Sequence, residues 1–177
     1  MIAYTAINNH IKNNNGLVKV LNVLDKAITY ITIIFYIGYL LFCIIEIPHS
    51  GGNNLYRGVL VPAVSFIIVS IYRKIASKPR PYEVFDFKPI LEKDTKGKSF
   101  PSRHVFSIFM VAFTIIQSNV YVGIFLALLG VVLSAIRVVG GVHFLKDVVA
   151  GFAIALIISI LCYGILGGVF GLLMLPF

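Results

Sequence analysis

Four long stretches of this chain contain no Asp, Glu, Lys or Arg: residues 27–45, 58–72, 104–136 and everything from 148 onward. About 20 consecutive apolar residues cross the roughly 30 Å hydrocarbon core of a bilayer. With no water there to satisfy the backbone, such runs must be helices that close their own hydrogen bonds. The stretch 58–72 reaches full length if Arg57 and Arg73 sit at the interfaces and snorkel. The stretch 104–136 is too long for one span and divides at the turn-like cluster Gln117-Ser118-Asn119. With 59% hydrophobic residues, 12% charged ones and a mean hydropathy of +0.95, a 177-residue soluble domain would have too little interior to hide its apolar surface. The expected fold is therefore all-α: one polytopic membrane domain over residues 1–177, with five transmembrane helices.

Before the first span, Leu17 to Lys26 (LVKVLNVLDK) carries its polar residues on a narrow stripe. This predicts an N-terminal interfacial amphipathic helix, or a helix lying on the bundle outside the membrane. The run Asn13-Asn14-Asn15-Gly16 separates it from what precedes. No cleavable signal peptide is expected, since residues 1–16 lack a continuous apolar core. The one extended polar loop, 82–100, is placed over the functional site. The fifth span loosens near Gly164, Gly167 and Gly168 and ends in an apolar tail, Leu172 to Phe177. Cys43 and Cys162 lie inside apolar runs and read as buried thiols; no metal-ligand spacing occurs. A net charge of +8 on so apolar a chain points to anionic headgroups or phosphorylated substrates rather than nucleic acid.

Three polar segments interrupt the apolar pattern: Arg73 to Pro81, Pro101 to His104, and Arg137 to Asp147. A charge at the centre of a spanning helix costs roughly 2.5–3.5 kcal/mol, so polar groups next to spans tend to face one another around a site. The first segment leaves the second span, the second opens the third, and the last bridges the fourth and fifth. Up-down topology puts all three on one side of the membrane. Arg73, Arg80 and Arg137 offer planar forks for phosphate oxygens. Pro101 marks a helix start, where Ser102 and backbone N–H groups face an anion. His143 and Asp147, four apart, would share a helix face, with the carboxylate holding one ring nitrogen while the other attacks. His104 is a second imidazole on the same side. Taken singly, each has a plainer reading as an interface anchor or a satisfied polar group; joint placement favours chemistry.

These segments resemble the signature of the type-2 phosphatidate phosphatase superfamily: a basic residue, six others, Arg-Pro; Pro-Ser-Gly-His; and Ser-Arg, five others, His, three others, Asp. The chain has Arg73 followed after six residues by Arg80-Pro81, then Pro101-Ser102-Arg103-His104, then Arg137, His143 and Asp147 at the matching spacing. The resemblance implies that His143 is the nucleophile, that Asp147 orients it, and that His104 protonates the leaving group. It also implies that Arg73, Arg80, Ser102 and Arg137 hold the phosphate, with no metal and no cofactor. Arg73 stands where Lys is commoner, Ile136 where Ser is usual, and Arg103 where Gly is usual. The Arg103 side chain either narrows the site or joins the phosphate-binding set by contacting a second phosphate or a headgroup.

The first function expected is hydrolysis of a phosphomonoester on a phospholipid of the phosphatidylglycerol phosphate or phosphatidate type, in a bacterial cell membrane. The alternatives are an undecaprenyl diphosphate phosphatase and a non-catalytic headgroup binder or flippase. Of the fifteen Lys and Arg residues only Arg57 lies away from the site, so the charge rule favours a cytoplasmic site. The resemblance favours the outer face, and the sequence leaves the two in conflict.

Overall fold

The computed structural model describes residues 11–165 apart from 51, 86, 93 and 94. The helices are α1 (Asn15–Ile45), α2 (Ile47–Ser50), α3 (Asn53–Ala76), α4 (Pro81–Val84), α5 (Arg103–Ile116), α6 (Val120–Val139) and α7 (Leu145–Ser159), the last continuing into a π-helical turn, Ile160–Ile165. The apolar tail and the two glycines before it lie outside the described residues. Among the described residues, four helices are long and apolar enough to cross a membrane. The fifth, α5, has 14 residues, a length of about 21 Å. It is also the most enclosed, buried on nearly every face, and packs against α1, α3, α6 and α7. A helix that is apolar all round belongs in the centre of the bundle. The chain is a multi-pass helical membrane protein.

The amphipathic stretch 17–26 is continuous with the first span. Asn14 caps α1 by accepting the Leu17 N–H at 3.2 Å, and the helix then runs unbroken for 31 residues, about 46 Å. That exceeds the hydrocarbon thickness, so its first turns stand beyond it. The turn expected at 117–119 is present, with the Asn119 side chain accepting the Val122 N–H at 3.1 Å to start α6. Pro62 inside α3 has no N–H to give the Gly58 carbonyl one turn back. The Tyr36 hydroxyl of α1 donates to that carbonyl instead, at 2.9 Å, which ties α1 to α3. Cys43 is buried and Cys162 half-buried, both as free thiols.

The buried stripes of three helices end in the polar residues of the site. On α3 the stripe is Gly58, Pro62, Ser65, Val69 and Arg73. On α6 it includes Gly123, Leu126, Gly130, Leu133 and Arg137. On α7 it includes Asp147, Gly151, Ala155 and Ser159. Steps of three and four keep each stripe on one helix face, so the charged residue is carried inward at the end where the helices meet. Gly151 marks the closest approach: a Cβ there would lie 2.7 Å from the Ser102 carbonyl oxygen and 3.2 Å from the Phe106 nitrogen. Only glycine lets α7 come this near the start of α5.

Candidate active site

His143 lies in the turn between α6 and α7 rather than on α7 itself. Gly141, at φ 76°, turns the chain back so that the Val142 and His143 N–H groups both reach the Arg137 carbonyl, at 3.3 and 3.2 Å. Helix α7 then starts at Leu145, and Asp147 occupies its third position. From there Asp147 Oδ2 accepts the Phe144 N–H at 3.0 Å, which satisfies one of the open donors at the helix start. The same oxygen lies 3.5 Å from His143 Nδ1. The i, i+4 spacing thus works through a capping turn rather than a shared helix face. Because Nδ1 faces the carboxylate, Nε2 is the nitrogen turned away from it.

Ser99, which the motif spacing does not single out, joins this pair. Its hydroxyl donates to Asp147 Oδ2 at 2.5 Å and lies 3.4 Å from His143 Nδ1. Ser99, Asp147 and His143 are all essentially inaccessible to water. Burial lowers the His143 pKa to about 4, with Arg80 and Arg137 adding in the same direction and the Asp147 hydrogen bond opposing. The imidazole is therefore neutral at neutral pH and keeps the lone pair that a nucleophile needs.

Two guanidinium groups surround the loop before α5. Arg73 donates from Nη1 to the Pro101 carbonyl at 2.8 Å and from Nη2 to the Lys98 carbonyl. Arg80 donates from Nε to Gly97 O at 3.0 Å, from Nη1 to Val142 O at 3.0 Å, and from Nη2 to Lys98 O at 3.4 Å. Each guanidinium carries five N–H groups, so these bonds fix both forks and leave donors over. Glu83 holds the loop from the other side, accepting the Arg80 N–H at 2.8 Å and the Gly97 N–H on both its oxygens, at 2.9 and 3.0 Å. Ser102 N–H donates to the Asp147 carbonyl at 2.8 Å, joining α5 to α7.

Two buried oxygens here have no hydrogen-bond partner among the described residues: Ser102 Oγ and Asp147 Oδ1. Ser102 is the N-cap of α5, where a serine hydroxyl normally bonds to the first turn, yet it makes no such bond. An orphaned buried hydroxyl at a helix start is a place for an anion to complete.

The side chains of the remaining expected residues make other contacts. Arg137 is buried, but its fork is engaged by Asp25 of α1, with Nε 2.7 Å from Oδ1 and Nη2 3.0 Å from Oδ2. Asp25 was open to detection in the sequence, since it is a carboxylate two residues before an apolar run, as Asp147 is one residue before another. Arg103 is exposed and stacks its guanidinium over the Phe66 ring, 5.4 Å from the centroid. Half-buried His104 and Arg103 line a cavity of about 350 Å³ with Thr29, Thr32, Ser107 and Phe66. A second, apolar cavity of about 280 Å³ shares Thr32, Ile33, Phe66 and Ser107 with it and runs on to Tyr36, Pro62 and Met110.

The family model of the PAP2 superfamily matches residues 57–169, which enclose all three polar segments. The chain belongs to the PAP2 superfamily. It is an enzyme of that family's kind, a phosphatase of lipid phosphates. Among solved structures, the crystal structure of Aquifex aeolicus LpxE is similar at 22% identity and a TM-score of 0.58, covering 83% of this chain and 92% of that one. The first transmembrane PAP2 type phosphatidylglycerolphosphate phosphatase from Bacillus subtilis is similar at 20% identity and a TM-score of 0.47, over 93% of this chain and 92% of that one. No curated protein matches. The likeness to LpxE bears on the PAP2 fold alone.

Proposed function

We propose that this PAP2 protein hydrolyses the phosphomonoester of a phospholipid, of the phosphatidylglycerol phosphate or phosphatidate type, through a phosphohistidine. The observation that carries this reading is the buried His143 held by Asp147 and Ser99 beside the orphaned Ser102 hydroxyl and the forks of Arg73 and Arg80. In the first step His143 Nε2 attacks phosphorus and the bond to the lipid oxygen breaks. His104 gives that oxygen its proton. In the second step a water yields a proton to His104 and attacks the phosphohistidine, the P–N bond breaks, and inorganic phosphate leaves.

Arg73, Arg80 and Ser102 stabilise the charge that builds on the phosphoryl oxygens. Arg137 contributes through the N–H groups that Asp25 leaves unused. The reading calls on no metal and no cofactor. The apolar cavity that adjoins the His104 cavity supports a substrate with a hydrocarbon tail. The positive charges gathered on the site side favour a site facing the cytoplasm of a bacterial cell.

Phosphate release from phosphatidate by the detergent-solubilised protein tests the reading. Replacement of His143 by Ala should abolish turnover and with it any acid-labile phosphoenzyme. Full activity in His143→Ala would sink the mechanism.

A further inference from the structure

Arg103 has no counterpart in the family signature, and its setting differs from that of every other arginine at the site. Arg73 and Arg80 are steered by backbone carbonyls and Arg137 by a carboxylate. Arg103 has no carboxylate partner among the described residues, and its guanidinium lies over the face of Phe66. Stacking of this kind draws the cation to the negative face of the ring. It orients the guanidinium without neutralising it, so a planar fork with all its N–H donors is presented to the cavity.

The side of the reaction on which Arg103 stands follows from its neighbour. It shares the 350 Å³ cavity with His104, whereas His143 is not among that cavity's walls. His104 is the group assigned to protonate the leaving oxygen, so the cavity it lines receives the leaving group. Three hydroxyl-bearing residues, Thr29, Thr32 and Ser107, complete its polar lining, and the adjoining cavity toward Tyr36 is apolar. A cation and hydroxyl-bearing residues in one cavity, with a second, apolar cavity adjoining it, suit an anionic lipid.

We infer that Arg103 binds an anionic phosphate that departs with the lipid, so that the preferred substrates carry a second phosphate next to the one removed. This rests on the phosphohistidine reading above. The shared chemistry is a phosphate in the leaving group, whether the phosphodiester of a glycerophospholipid or the inner phosphate of a lipid diphosphate. Phosphatidate has neither, because its leaving group is an uncharged diacylglycerol.

The test compares kcat/KM on three dioleoyl substrates in the same mixed micelles: phosphatidate, phosphatidylglycerol phosphate and diacylglycerol diphosphate. The readout is the ratio of each two-phosphate lipid to phosphatidate. Arg103→Met should lower at least one ratio about tenfold, the size expected for one lost charge-assisted contact. The lipid whose ratio falls more identifies the phosphodiester or the diphosphate as the group recognised. Arg103→Lys, which keeps the charge, should retain more of that ratio than Arg103→Met. Both ratios staying within twofold of wild type in Arg103→Met, or a Lys variant no better than the Met variant, would overturn the inference. Failure of the underlying reading looks different: wild type and His143→Ala would then release phosphate equally, or not at all, from all three lipids.

Discussion

At the scale of single residues, the site depends on one carboxylate oxygen that serves three groups. Asp147 Oδ2 receives the Ser99 hydroxyl and the Phe144 N–H and faces His143 Nδ1, while Oδ1 is left without a partner. Ser99 and Phe144 therefore fix the plane of the carboxylate, and the carboxylate fixes the ring. Removing the Ser99 hydroxyl takes away one of those two constraints without touching the phosphate cradle. Ser99→Ala should lower kcat about tenfold, in line with loss of a hydrogen bond to a charged group, and leave KM within twofold. Ser99→Thr should recover part of kcat; steady-state kinetics on micellar substrate reads both, and a change confined to KM would remove Ser99 from this positioning role. The sequence displayed His143 and Asp147 through their spacing and their place beside an apolar run. It did not display Ser99, because a loop serine has no periodicity or energetic anomaly to mark it. Asp25 did carry the same anomaly as Asp147, but the amphipathic pattern around it offered a sufficient alternative explanation.

At the scale of elements, the Arg137–Asp25 pair joins the end of α6 to the early turns of α1. The two side chains are only 4% and 16% exposed. Breaking such a pair from one side strands a buried charge and costs about 3–5 kcal/mol, whereas replacing both partners by apolar groups is often close to neutral. Asp25→Ala should thus lower the melting temperature of the detergent-solubilised protein sharply. The double variant Asp25→Ala, Arg137→Met should regain a good part of that loss while staying catalytically impaired. Equal melting temperatures for Asp25→Ala and wild type would show that the pair contributes nothing to holding α1. Helix number and order were legible from the charge-free runs, and so was the break at 117–119. The shortness of α5 was not, because a run of apolar residues fits a central, protein-enclosed helix as well as a lipid-facing one. The start of α7 was hidden for another reason: the glycine turn that separates Arg137 from Asp147 looks, in residue type, like a helix junction of unknown length.

At the scale of the whole molecule, the charge distribution is more one-sided than the count of residues suggests. Among the described residues Arg57 is the one Lys or Arg at the far end of the bundle, and its guanidinium is engaged within the protein. Its Nη2 donates to the carbonyls of Cys162 and Tyr163, at 3.1 and 3.3 Å, and its guanidinium lies over the Tyr163 ring at 5.3 Å. It therefore satisfies carbonyls near the end of the last span, a favourable place for a cation. Among the described residues the other thirteen Lys and Arg belong to the site side, some of them, such as Lys26 and Lys88, on exposed surface. The positive-inside bias concerns positive charge within short loops near span ends, and here one side supplies essentially all of it. Half-buried Arg57, committed to the Cys162 and Tyr163 carbonyls, is a single charge against that bias. The expected orientation is an active site facing the cytoplasm, on the side where a cell holds newly made phospholipid phosphates. A variant in which Cys43 and Cys162 are replaced and exposed Lys88 becomes Cys reports this directly. Its thiol should resist a membrane-impermeant maleimide in intact cells and react after permeabilisation. Prompt labelling of intact cells would put the site outside and move the expected substrates to lipid phosphates of the outer leaflet. Arg57→Gln should leave that labelling pattern unchanged while lowering the melting temperature, since it removes a packing cap and not a topology signal.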